Sequence, residues 1–421
     1  MPFIFNKKLA KNFFFYQLGN IIPGLLSFLL IPFIVRNYGA AVYAGYSLLF
    51  NCMAVVAMFC YSWPGQSYMR FYAKHFQSED AVYTGLLKKS MLAGAIFFII
   101  LSFFITDESP AYLFITLPAF FICCIYNFNL IRTQAIQAAS KVAIAEILRT
   151  IIMIAIPLSV SFFSKDYALT VLFISLIVAY SCSTLVLSKR RNIFPENNLV
   201  NPGDVNKIET GIKQYGLPIS FFVSISLALS VNDRYLIAHL FDYNTAGKYA
   251  AVYDLLNKGA NFACTPILVT FFPHVVKQFN DGDINSAYRN LKRAMLIEVA
   301  IFFAGLICLA LFGKYFLEVI IKEPVTDSTI YLAYIIYTGV FMTQFAMLVH
   351  KPLELRLQTK YMAIIVFIVF IINIIANWIL LNKYKDVMIA AWTTLASSLL
   401  YIFFVLFVVF KRNNSKDIEA A

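Results

Sequence analysis

Residues 361–382 read YMAIIVFIVFIINIIANWILLN, twenty-two positions without a charge. A hydrocarbon core about 30 Å thick needs about 20 apolar residues of α-helix to cross it. This stretch is long enough, and Asn373, Asn377 and Asn382 are the only strongly polar side chains in it. A membrane β-strand would instead alternate apolar and polar positions over about ten residues. The continuous run therefore predicts a helix in lipid, where every backbone N–H and C=O must be paired within the chain.

Outward from that segment the pattern repeats. Charge-free stretches fall at 12–35, 37–69, 90–106, 109–131, 150–164, 167–188, 214–232, 259–276, 299–313, 328–350, 361–382 and 387–410. Three of them are short, and each is expected to continue past a nearby charge: Arg149 before 150–164, Lys258 before 259–276 and Glu298 before 299–313. The 421 residues are 61% hydrophobic and 13% charged, against about 25% charged in a soluble domain. The expectation is an all-α integral membrane protein of about 12 transmembrane helices. Lys7, Lys8 and Lys11 precede the first stretch. That stretch is too long for a signal-peptide core and is read as a retained membrane helix.

Basic residues give the orientation, because cytoplasmic loops are enriched in Lys and Arg. With a cytoplasmic N-terminus, strict alternation over twelve crossings puts 25 Lys and Arg inside and 8 outside, with Lys258 left within a span. Both termini are then cytoplasmic. The net charge of +12 becomes mainly a feature of that face, suited to anionic lipid rather than nucleic acid. The seven cysteines all fall in or beside apolar runs and read as small packing residues. The four scattered histidines make no HExxH or Cys/His spacing, so neither a metal nor a cofactor is expected.

The longest hydrophilic connection, 189–213, separates six spans from six. The expected organisation is an N-terminal lobe over 1–188, a cytoplasmic linker over 189–213, a C-terminal lobe over 214–410 and a cytoplasmic tail over 411–421. An even number of spans per half gives both halves one orientation, the parallel-repeat arrangement of some transporters. Weak internal similarity agrees: Tyr16-Gln17-Leu18-Gly19 resembles Tyr215-Gly216-Leu217-Pro218, and Arg36 and Arg234 follow at similar distances.

Ionisable side chains at membrane depth are costly and default to functional candidates. Asp254 and Lys258 lie at i, i+4 and share a helix face, as an ion pair that fastens helices or as a gating site. Asp233 and Arg234 are neighbours, point in different directions and need not pair; Arg234 near a helix end is also readable as a snorkelling anchor. Glu146 and Arg149 sit at i, i+3, and Arg36, Arg70 and Arg132 near span ends read as interface anchors when taken singly. Prolines recur inside spans and bend helices.

Tyr215-Gly216-Leu217-Pro218, Asp233-Arg234-Tyr235-Leu236-Ile237 and Ala246-Gly247-Lys248-Tyr249 resemble the second-half signature of polysaccharide flippases, with Gly19-Asn20, Pro32 and Arg36-Asn37-Tyr38-Gly39 similar in the first half. These flippases belong to the multidrug/oligosaccharidyl-lipid/polysaccharide (MOP) exporter superfamily. The resemblance implies a MATE-like fold of two six-helix lobes around a V-shaped central cavity. It implies movement of an undecaprenyl-pyrophosphate-linked oligosaccharide, an O-antigen or capsule repeat unit, between leaflets of a bacterial inner membrane. It implies a lipid bilayer, the lipid-linked oligosaccharide, and a glycan polymerase with its chain-length regulator as partners. Arg36, Arg149, Arg234 and Lys258 are then candidates for phosphate attraction or gating, and Asp233 and Asp254 for charge balance or ion coupling. Two rivals stand beside this reading. A multidrug or cation antiporter of the same superfamily should have a net acidic cavity. A membrane glycan polymerase needs converging acid/base groups, commonly on a large outer loop, whereas the outer loops here are short. No enzyme is expected.

Overall fold

The computed structural model describes the backbone of residues 7–71, 80–105, 112–162, 167–188, 202–321, 325–356 and 358–419. Lys165, Lys189, Arg190, Arg191 and the 189–201 part of the expected linker lie outside the described residues. The described chain is helical throughout: α1 (Lys7–Tyr38), α2 (Ala40–Phe71), α3 (Asp80–Ile105), α4 (Leu113–Ala135), α5 (Ala139–Ser161), α6 (Ala168–Ser188), α7 (Pro202–Leu240), α8 (Tyr243–Asn280), α9 (Ile284–Ile321), α10 (Asp327–Val349), α11 (Lys351–Leu355), α12 (Thr359–Tyr384) and α13 (Met388–Glu419). Twelve of them are long and apolar enough to cross a membrane. The three short stretches do extend past their charges, since the spans run Ala139–Ser161, Tyr243–Asn280 and Ile284–Val319. Residues 202–213 of the expected linker form the first turns of α7.

Breaks between helices are chemically marked. Gly39 follows α1 with a φ of 95° and donates its N–H to the Val35 carbonyl. That left-handed C-terminal geometry strains any residue with a Cβ. Asp242 caps α8 by accepting the Thr245 N–H at 2.8 Å, and Asp283 caps α9 by accepting the Ser286 N–H at 3.1 Å. Capping satisfies amides that the helix itself cannot reach.

Chain contacts divide the protein into two compact units. The first comprises Met1–Leu30 and Gly45–Ala228, and the second Ile31–Ala44 and Leu229–Ala421. Helices α1, α2 and α7 are therefore each shared in sequence between units, so the division runs inside helices and not only at the hydrophilic connection. Within the first unit α4, α5 and α6 pack together, with α3 against α4. Within the second, α10 packs on α8, α9 and α13, and α12 packs on α13. Large apolar side chains remain uncovered, among them Phe104, Phe114, Phe303 and Leu311. Water would penalise so continuous an apolar surface, whereas lipid accepts it. Five cysteines are buried, Cys182 is half-buried and Cys308 is exposed on α9.

Candidate functional site

The second unit concentrates its polar side chains where α7, α8, α12 and α13 meet. Successive residues of a helix project about 100° apart, because a turn takes 3.6 residues. Asn232, Asp233 and Arg234 on α7 therefore serve three different neighbours. Asn232 donates to Asn373 Oδ1 on α12 at 2.9 Å. Asp233 accepts from Tyr249 on α8 at 3.0 Å, from Asn377 Nδ2 on α12 at 2.9 Å and from the Thr394 hydroxyl on α13. Arg234 turns to Asp254 on α8, with Nη1 at 2.9 Å from Oδ2 and Nη2 bonded to Oδ1.

The ring of partners is closed by neutral groups. Asn377 Nδ2 also reaches Asn373 Oδ1 at 3.0 Å, Thr393 donates to Asn377 Oδ1 at 2.5 Å, and Asn373 donates to Ser397 Oγ at 2.8 Å. Asn373 and Asn377 have no solvent exposure at all. In such a place an unmade hydrogen bond costs more than a made one gains, so the array is fixed in detail. It gathers both Asp233 oxygens, the amide oxygens of Asn373 and Asn377 and two threonine hydroxyls. The amide oxygen of Asn232 is buried beside them and accepts no hydrogen bond. Hard oxygen donors with one carboxylate suit a small hard cation or a proton. Among the described residues no three His, Cys, Asp or Glu side chains lie together as a metal cluster.

Asp254 is the end of a second chain of contacts. Its Oδ2 accepts the Tyr43 hydroxyl from α2 at 2.5 Å as well as Arg234. The Arg234 guanidinium lies 5.2 Å from the centre of the Tyr253 ring. Arg234 is only 2% exposed. The snorkelling reading is thereby corrected: the side chain is held inward by a carboxylate and a ring face. Asp254 takes its principal partner from α7 instead of from Lys258 alone; Lys258 is half-buried one turn further along α8. Arg36 is exposed at the end of α1. Arg36, Asp233, Arg234, Asp254 and Lys258 all belong to the second unit, and Arg149 to the first.

In the first unit Arg149 on α5 enters an aromatic clamp. Its guanidinium is 5.8 Å from the Tyr126 ring centre and 5.6 Å from that of Tyr180. Nη2 is 2.6 Å from Glu146 Oε2, and Tyr126 donates to the other Glu146 oxygen at 2.6 Å. The Arg149 Nε is buried and makes no hydrogen bond. One edge of the guanidinium is therefore committed and a donor on another is not. Arg132, expected to anchor at an interface, is instead buried in an ion pair with Asp80 at 2.6 Å, steadied by Asn129 at 3.2 Å. Asp80 opens α3 and carries no apolar-run signal, which is why the sequence does not announce the pair. Tyr43, Tyr126, Tyr180, Tyr249 and Thr394 make side-chain contacts here that the sequence reading assigns to none of them, since tyrosine and threonine inside apolar runs carry no distinctive spacing.

This architecture is the fold of MATE transporters. A mutant of the Vibrio cholerae MATE transporter VcmN aligns with a TM-score of 0.69 at 11% identity, over 97% of each chain. An outward-facing multidrug resistance MATE family transporter of the MOP superfamily aligns at 0.65 and 13% identity, over 98% of this chain and 96% of the other. An inward-facing structure of such a transporter aligns at 0.62 and 13% identity, over 96% of each. No protein-family model and no curated protein matches the sequence.

Proposed function

We propose that the chain is a transporter that moves an undecaprenyl-pyrophosphate-linked oligosaccharide from the cytoplasmic to the periplasmic leaflet of a bacterial inner membrane by alternating access, with both termini cytoplasmic. The observation that carries this reading is Arg149: a half-buried arginine inside the first unit, braced by two tyrosine rings, with its Nε donor left uncommitted. Arginine offers paired N–H groups to phosphate, and a pyrophosphate headgroup cannot cross hydrocarbon unaided. Arg36, Arg234 and Lys258 add positive charge for attraction or gating. The oligosaccharide partners of such a route, a glycan polymerase and a chain-length regulator, follow from the same proposal.

The pairing of three acids within the spans with arginines supports an anionic substrate over a cationic one. Asp80, Glu146 and Asp254 are each matched by an arginine, namely Arg132, Arg149 and Arg234. Asp233 is surrounded by neutral donors, and its oxygen-rich nest suits a coupling ion, sodium or proton. That nest is also what a cation or multidrug antiporter of the same fold would use, and the fold alone favours neither.

Deletion of the protein should cause lipid-linked oligosaccharide to accumulate in the cytoplasmic leaflet, with no change in drug resistance. Arg149→Ala should fail to restore export at normal protein levels. Unaltered glycan export together with drug hypersensitivity in the deletion strain would replace this reading with the antiporter one. Accumulation of repeat units that are translocated but unpolymerised would point instead to a polymerase.

A further inference from the structure

Glu298 stands apart from every contact described so far. It lies on α9, fourteen residues past Ile284, so about 21 Å along the helix and about 8 Å beyond Arg293. It has no solvent exposure, and neither carboxyl oxygen makes a hydrogen bond. Its surroundings are the contact between α8, α9 and α10, where Ile267, Leu291, Ala294 and Leu348 form one apolar cluster.

The groups that face it offer no countercharge. From α8 the ionisable neighbour is the Cys264 thiol, itself fully buried. About one turn earlier on α8, Asn261 accepts the Gln344 amide from α10 at 2.9 Å. From α10 the titratable group is the Tyr337 hydroxyl, committed to the Phe302 carbonyl at 3.2 Å. On α9 itself Lys292 and Arg293, six and five residues before Glu298, are exposed. An isolated carboxylate in such a medium costs far more than a neutral acid, and side chains so placed neutralise. A metal cation would need several further oxygens, as the Asp233 nest supplies and this place does not.

We propose that Glu298 is a proton-binding site of the second unit, separate from Asp233, which carries its proton while α8, α9 and α10 are packed together and releases it only when that packing opens to water. The small residues Ala287 and Ala294 bring α9 close to its neighbours, so proton occupancy follows helix separation. The site works on the protein's own packing and is independent of which headgroup is carried.

Infrared difference spectra of the full chain in lipid nanodiscs test it, comparing wild type with Glu298→Gln across a pH series. Glu298→Gln keeps the shape and the neutral state, so it should fold. The expected result is a protonated-carboxyl C=O band in wild type that loses less than about 3-fold in intensity between about pH 6 and about pH 8 and is missing from the variant. An exposed glutamic acid loses about 100-fold of its protonated fraction over that range. Glu298→Leu, which keeps the place apolar, must delete the same band. Equal bands in wild type and both variants at about pH 7, or a difference that shows only carboxylate there, would overturn the assignment, whatever glycan-export assays show. If the deletion strain exports glycan unaltered while the band behaves as expected, the transport reading falls and the proton site stands.

Discussion

Arg234 and Asp254 face each other from α7 and α8 in a two-pronged pair, both guanidinium Nη atoms on both carboxylate oxygens. Arg234 is 2% exposed and Asp254 side-chain exposure is 21%. Arg234 has left water and Asp254 is largely withdrawn from it, so the guanidinium is tolerable only because the carboxylate is present.

Breaking that pair on one side should cost about 3 kcal/mol, the lower end for buried pairs because Asp254 keeps some solvent. Asp254→Asn leaves the Arg234 charge uncompensated and removes an acceptor from Tyr43. Replacing both, with Arg234→Met and Asp254→Leu, should recover most of the loss, since an apolar pair avoids desolvation altogether. Thermal unfolding in detergent, followed by intrinsic fluorescence, should rank the wild type and double variant above the single variant. Equal melting temperatures for Asp254→Asn and wild type would contradict the pairing.

Gly247 lies in the second turn of α8 against the start of α2, and a Cβ built there would lie 1.9 Å from the Ala40 carbonyl oxygen. The obstacle is backbone, so no side chain can rotate away. Gly247→Ala should therefore cost at least about 3 kcal/mol, at the upper end of overpacking. At Gly259 nothing lies within 4 Å of the same added atom. Gly259→Ala should stay within about 0.5 kcal/mol of wild type. Protein yield and melting temperature of the two alanine variants, measured side by side, check the contrast.

The number and placement of membrane helices were legible because lipid acts on every residue at once. An apolar run such as 361–382 has one stable solution, a helix, and even the short runs could be extended past Arg149, Lys258 and Glu298 by length alone. Partners were less legible. Asp233 and Arg234 point apart, as helix periodicity alone requires. Which side chain each meets depends on how α8, α12 and α13 are stacked, and a single sequence carries no record of stacking. Arg132 shows the same limit: position near a span end suggested an interface, whereas Asp80 fifty-two residues earlier draws it inward.

Asp242 supplies a pH-dependent element outside the spans. Its carboxylate accepts the Thr245 N–H and hydroxyl, and these hydrogen bonds hold it below the usual aspartate range. A group held lower in the folded state stabilises above its unfolded value and loses that contribution as pH falls through its folded value. The cap should therefore be intact at neutral pH and fade below about pH 4. Asp242→Asn, a capping residue without a charge, should flatten that acid-side decline of the melting temperature. Asp242→Ala should cost about 0.5 kcal/mol at neutral pH, the low end for a solvent-screened cap. A decline equally steep in Asp242→Asn would assign it to other carboxylates.

Asp233 separates stability from ion dependence. Thr394→Val keeps the side-chain volume and removes one donor to the carboxylate. Hydrogen bonds between membrane helices are worth about 0.6 kcal/mol on average and about 1.7 at most, so this variant should fold with a loss of about 1 kcal/mol. Its cation affinity should fall about tenfold, because a ligand oxygen is gone from the nest. Asp233→Asn should fold too, yet lose the response altogether, since the amide removes the charge that a cation needs. The measurement is melting temperature in sodium chloride against choline chloride at equal ionic strength and several pH values. A ligand bound only by the folded state raises stability by mass action. Wild type should therefore melt higher in sodium, or gain stability as pH falls through the mildly acidic range if the ion is a proton, and Asp233→Asn should melt alike in both salts and keep only the acid-side decline that other carboxylates such as Asp242 give. An undiminished response in Asp233→Asn would take ion coupling away from this nest and leave its asparagines and threonines as a purely structural clasp between α7, α12 and α13.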